Sequence, residues 1–148
     1  MKPLRPLIAS VFVAGLLTGC TPIVAMTPAA DANNPTCADV IVRLPDTVEG
    51  LTRRETDAQA TGAWGDPTAV LLRCGVSVPT AATSVCQTVA GIDWLADDKT
   101  KGTRVFRSFG RVPAVDVVVD SNVVTPGLVL DDLSAMIGFT KPNGRHCS

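Results

Sequence analysis

Tyrosine is absent from this 148-residue chain, and the other aromatics are few: two Trp and four Phe. A core built from it must rest mainly on Val, Leu, Ile and Ala. Histidine occurs once, as His146, two residues before the last position. A Ser/His/Asp triad needs an imidazole held firmly in place, and that position serves it poorly, so no catalytic residue is assigned. CxxC and HxxxH spacings are missing, which argues against a zinc framework. Walker, Rossmann and calcium-loop patterns are missing too, and no cofactor or metal is expected. Nor is there a concentrated basic stretch. The 13 basic residues face 14 acidic ones, for a net charge of −1, whereas nucleic-acid binding calls for a basic surface. Arg53 and Arg54 are followed at once by Glu55 and Asp57 and read as a solvated strand face. There are no internal repeats.

The amino terminus is the most informative stretch present. Met1–Pro6 carries Lys2 and Arg5 and no acid, and Leu7–Leu17, "LIASVFVAGLL", is uncharged. A basic start, an apolar run and small residues at its end describe a secretory signal. The run has 11 residues, short of the roughly 20 that cross a bilayer as a helix. Its ending, "LTGC", Leu17 to Cys20, resembles the lipobox of bacterial lipoproteins. In that pattern the cysteine thiol receives a diacylglyceryl group and signal peptidase II cuts before it, here after Gly19. Two acyl chains anchor a protein stably where one does not. The rival readings are an ordinary cleaved signal and a retained anchor. The expected organisation is a signal peptide over 1–19, a lipidated tether over 20–36 and a single domain over 37–148. The tether reading rests on Pro22, Pro28 and Pro35 among small and polar residues without periodicity. The expected location is the cell membrane, lipid-anchored on its outer, extracytoplasmic face.

Five cysteines are odd for an exported protein. Assigning Cys20 to lipid leaves Cys37, Cys74, Cys86 and Cys147, an even set suited to an oxidising compartment. Four cysteines allow three pairings. Cys37 with Cys147 and Cys74 with Cys86 is favoured. The first pair would join the two ends of the domain, and the second would close a short loop containing Pro79.

Along the domain, Thr36 and Asp39 fit a capping box. Cys37, Val40, Ile41 and Leu44 then share one helical face, which Pro45 ends. Leu51–Asp57 and Ala69–Val76 read as strands, with Gly65-Asp66-Pro67 as a turn. "AGIDWL", "TRVFRSFG" and "PAVDVVVD" alternate like strands with one wet face, while "ADDKTKG" reads as a loop. In "TPGLVLDDLSAMIG", Leu130, Leu133 and Ile137 make a helical stripe. Asp131 and Asp132 suit its N-terminal turn, and Gly138 suits its stop. The fold class expected is α+β: an antiparallel sheet of about five strands, with an N-terminal and a C-terminal helix on one face.

Three carboxylate pairs are candidates for chemistry: Asp97-Asp98, Asp131-Asp132, and Asp116 with Asp120. Each has a bland reading as a loop, a helix start or the solvent side of a strand. Trp64 and Trp94 are the binding candidates, weighed against a place in the core.

Taken together, the lipobox cysteine, "CADVIVRLPDTVEGLTRRET", "TGAWGDPTAVLLRCGV", "GIDWL" and "VPAVDVVV" resemble the actinobacterial lipoproteins of domain-of-unknown-function family 3515. The resemblance covers Cys37 to about Ile137. It implies an envelope location and paired cysteines, and brings no activity or catalytic residue. The favoured function is a non-enzymatic, lipid-anchored binding or interaction domain. Its partners would be the membrane, through the anchor, and an envelope protein or ligand. A small carboxylate-dependent envelope hydrolase and a small-ligand-binding lipoprotein are the alternatives.

Overall fold

The structure, a computed structural model, describes residues 22–148, apart from the side chains of residues 99 and 100. In chain order the elements are α1 (Pro35–Ile41), β1 (Thr47–Val48), β2 (Leu51–Arg54), β3 (Thr61–Trp64), β4 (Val70–Val76), β5 (Val85–Val89), β6 (Ile92–Thr100), β7 (Thr103–Phe109), β8 (Arg111–Val112), β9 (Ala114–Asp120), α2 (Pro126–Ile137) and β10 (Lys141–Pro142). Eight strands form one antiparallel sheet in the order β1-β2-β3-β4-β9-β7-β6-β5, and β8 pairs with β10.

The expectation of an α+β sheet of about five strands is overturned: the described residues are mostly β, one eight-stranded sheet with two short helices. The five expected strands correspond to β2, β4, β6, β7 and β9. Missing from that expectation were β1, β3 and β5. β3 is "TGAW", and all four of its residues are buried, so it has no polar-apolar alternation to detect. Gly62 is there because space is short: a Cβ would lie 2.7 Å from Leu44 Cδ1. β6 also runs through most of "ADDKTKG", which was expected to be a loop.

One face of the sheet carries the core. Val70, Leu72 and Cys74 of β4 and Val115, Val117 and Val119 of β9 are fully buried there. They join Cys37 and Val40 of α1 and Leu130, Leu133 and Ile137 of α2 in a single apolar cluster. The caps differ from expectation. Asn34, not Thr36, caps α1, its Oδ1 accepting from the Thr36 amide at 3.0 Å. Asp131 and Asp132 lie past the first turn of α2, and Asp132 instead accepts the Glu49 amide at 2.7 Å. Arg53 is no solvated residue either: its guanidinium donates to the carbonyls of Leu44 and Ile41 just beyond and at the end of α1, where orphan carbonyls need partners.

All four domain cysteines are bonded, but the favoured pairing is wrong. The bridges are Cys37–Cys74 and Cys86–Cys147. The register gives the reason. Cys74 lies opposite Val115, on the helix-covered face, whereas Cys86 lies opposite Leu95, on the other face. The two strands are also four positions apart in the sheet, about 19 Å at ~4.8 Å per strand. A disulfide spans at most about 7 Å between α-carbons.

The stretch expected to be a tether is bonded to the domain from Pro22 onward. Val24 forms a parallel bridge with Thr56, donating to the Glu55 carbonyl and accepting from the Asp57 amide. Arg54 Nη2 donates to the Pro22 carbonyl at 2.6 Å. Farther on, the Asp31 amide donates to the Gly75 carbonyl at 3.0 Å. Gly75 has φ +92°, and a Cβ on it would sit 2.3 Å from the Asp31 carbonyl oxygen. Gly75→Ala is therefore expected to cost about 1–3 kcal/mol from backbone conformation alone and to detach this segment. Urea unfolding would show the lower midpoint, and hydrogen exchange would show lost protection at Asp31.

Candidate functional site

The sheet's second face is set by the same alternation. One cross-strand row runs Thr61, Arg73, Asp116, Arg107, Leu95, Cys86 over six strands. At its centre Asp116 stands directly between an arginine on each neighbouring strand. Opposite charges facing across antiparallel strands attract, and here they close into a triad. Arg107 donates from Nε and Nη2 to the two Asp116 oxygens, at 2.6 and 2.8 Å, and Arg73 Nη2 adds a contact at 3.3 Å. The carboxylate is 1% exposed, while the arginine side chains remain 35% and 37% exposed. Hydrogen bonding to Asp116 holds Arg107 still more firmly protonated than an ordinary arginine, against the opposing effect of burial.

Arg107 forms part of the wall of a cleft of about 430 Å³ between this face and the segment 77–84 that joins β4 to β5. The cleft is lined by hydroxyls (Ser77, Thr80, Thr83 and Ser84), by Leu95 and Val105, and by Asp97. Ser77 Oγ accepts from Arg107 Nη1 at 3.2 Å. The guanidinium is thus fixed on its Asp116 side and presents its outer edge to the cleft. Three of its five N–H donors are taken by Asp116 and Ser77, and the two that remain, rigidly placed, suit oxygen acceptors such as carboxylates, phosphates and sugar hydroxyls.

Beside the cleft strands, Cys147 reaches the second face and binds Cys86. Asp93 anchors it: Oδ2 accepts from the Cys147 amide at 2.9 Å and Oδ1 from Thr88 Oγ1 at 2.5 Å. Burial disfavours the charged form of Asp93. The bonds from Thr88 and Cys147, with the charges of His146 and Arg111, outweigh it and hold the carboxyl below the ordinary value of 3.8.

The residues singled out from sequence are dispersed. Trp64 is fully buried, its Nε1 donating to the Pro45 carbonyl at 3.0 Å, and Trp94 is fully buried as well. Both belong to the core and neither offers a surface to a ligand. Cys20 lies outside the described residues. His146 is 76% exposed and lies 3.7 Å from Asp93. Asp98 pairs with Arg104 at 2.8 Å, and Asp120 accepts from the Asn122 amide. Asp116, read as the solvent side of a strand, is instead buried under its arginines, with both oxygens engaged. Among the described residues no group of three or more His, Cys, Asp or Glu could hold a metal ion. What the sequence reading missed was Arg73 and Arg107. The signal was one charge set into each of three apolar strands, "LLRCGV", "VFRSF" and "AVDVV", and only the register shows that the three meet.

The family model described as "Protein of unknown function (DUF3515)" matches residues 6–145. The match spans nearly the whole chain, so the chain belongs to that family. No curated protein and no solved structure matches it.

Proposed function

We propose that this DUF3515 protein is a lipid-anchored protein of the cell envelope that works by binding, with the Arg107 cleft as its recognition surface. The observation that carries the binding half is the Arg73–Asp116–Arg107 triad. It immobilises a permanent cation at the wall of a hydroxyl-lined cleft. An arginine does not give up its proton in proteins, so such a site recognises oxygen-rich groups and does not exchange protons with them. The carboxylate alternative fits less well, since both Asp116 oxygens are engaged. Anchoring is supported by the "LTGC" ending at Cys20 and by two disulfides, which fit an oxidising compartment.

Both halves have direct tests. Cys20→Ala is expected to abolish acylation and cleavage after Gly19, read by intact mass of the protein from its host. A variant processed and membrane-bound like the wild type would refute the anchor. For the cleft, a photo-crosslinking residue at Thr80 should capture an envelope component in cells, and Arg107→Gln should lose that capture when the two are compared at equal amounts of folded protein.

A further inference from the structure

The anchoring reading and the bonded N-terminal segment together fix an orientation, and this inference rests on that reading. Two peptide units separate Cys20 from Pro22, so their α-carbons lie within about 7 Å of each other. Pro22 is not free to move away, because its carbonyl is held by Arg54 Nη2 and the chain that follows is held by Glu55, Asp57 and Gly75. The Arg54 side chain is only 8% exposed and also bridges Asp66 at 3.2 Å and the Gly65 carbonyl at 3.0 Å. The grip on Pro22 is therefore built into the β2–β3 end of the sheet. A residue carrying acyl chains there leaves no length for a stalk.

Ile23 follows Pro22 and is 63% exposed, an apolar side chain standing beside the attachment point. The charges around it do not favour an anionic partner: Glu55 and Asp57 are exposed, and Asp66 is 71% exposed. What remains is an apolar contact forced close to a bilayer.

We propose that the domain lies with its β2–β3 end directly on the lipid headgroups, Ile23 entering the interface, and that the Arg107 cleft is thereby held away from the membrane. The cleft strands β7 and β6 are four and five positions from β2 in the sheet, roughly 19–24 Å at ~4.8 Å per strand. A partner would thus meet the cleft outside the headgroup layer.

The experiment uses the lipidated full-length protein in phosphatidylcholine vesicles containing brominated lipid, with Ile23→Trp and Val85→Trp as reporters. Val85 is on β5, at the far edge, and is 71% exposed. The native Trp64 and Trp94 are fully buried and give a constant background. The emission added by Ile23→Trp should fall about twofold or more with brominated lipid, as expected of a side chain in the interface, and resist aqueous acrylamide. Val85→Trp should show the reverse. If Ile23→Trp is quenched by acrylamide as fully as Val85→Trp and is indifferent to brominated lipid, while intact mass shows acylated Cys20, the orientation is wrong and the anchor stands. If Cys20 carries no acyl chain, the anchoring reading falls and the orientation with it.

Discussion

Replacing Cys37 and Cys74 together by alanine is expected to remove about 4 kcal/mol of stability, since a closed loop of this length constrains the unfolded chain by about that amount. The bridge encloses a sequence separation of 37 and joins α1 to β4, and both residues are fully buried. A domain of ordinary stability has about 5–15 kcal/mol in all, so the bridge accounts for roughly a quarter of it or more. Urea titration of wild type and variant measures the difference. Non-reducing peptide mapping of the wild type accompanies it and should recover Cys37 with Cys74 and Cys86 with Cys147. Recovery of a Cys37–Cys147 peptide would contradict the placement of these cysteines on opposite faces.

The second large effect concerns Asp116. Asp116→Ala should cost about 2–4 kcal/mol, because removing one member of a buried ionic group leaves charges without partners. The value falls below that of a wholly buried pair because Arg73 and Arg107 are about one-third exposed and can regain water. A triple variant with Leu at positions 73, 107 and 116 separates stability from function. Apolar replacement of a whole buried ion cluster is often neutral or stabilising, so this variant should regain most of the lost stability. It should nonetheless fail to capture a partner at the cleft, since no guanidinium remains there. Capture by the triple variant at the wild-type level would remove the triad from the proposed function.

These two sites also show what the sequence could and could not reveal. The alternation of "AVDVVVD" places Val115, Val117 and Val119 on one face and Asp116 on the other, and the structure agrees. Alternation tells which face a residue takes, but not whether that face is wet. Asp116 is buried because Arg107, 9 residues earlier, and Arg73, 43 residues earlier, cover it from the two neighbouring strands, so the inference of a solvated aspartate failed. β3 was missed for a related reason: Gly62 and Ala63 are small yet buried, and small residues in a row look like a turn. The residues before α1 looked like a tether because composition reports side chains. What holds that stretch is largely backbone, as at Val24 and Asp31, and backbone bonding leaves little mark on composition. The disulfide pairing failed because the closeness of the chain ends, for one pair, and closeness in sequence, for the other, were weighed without knowing which side of a sheet each cysteine would take. The helical stripe of Leu130, Leu133 and Ile137 needed no such knowledge and is where it was expected.

The position of Cys37 has a mechanical consequence. A tug on residue 22 would peel away the contacts of Pro22, Val24 and Asp31 in turn, and would then be stopped at the sulfur bridge to Cys74. Fifteen residues, 22–36, lie ahead of that stop, which is roughly 50 Å when drawn straight. The molecule thus carries a coil of slack with a covalent end-stop, and until the slack had run out the sheet would feel no more load than those few hydrogen bonds can transmit.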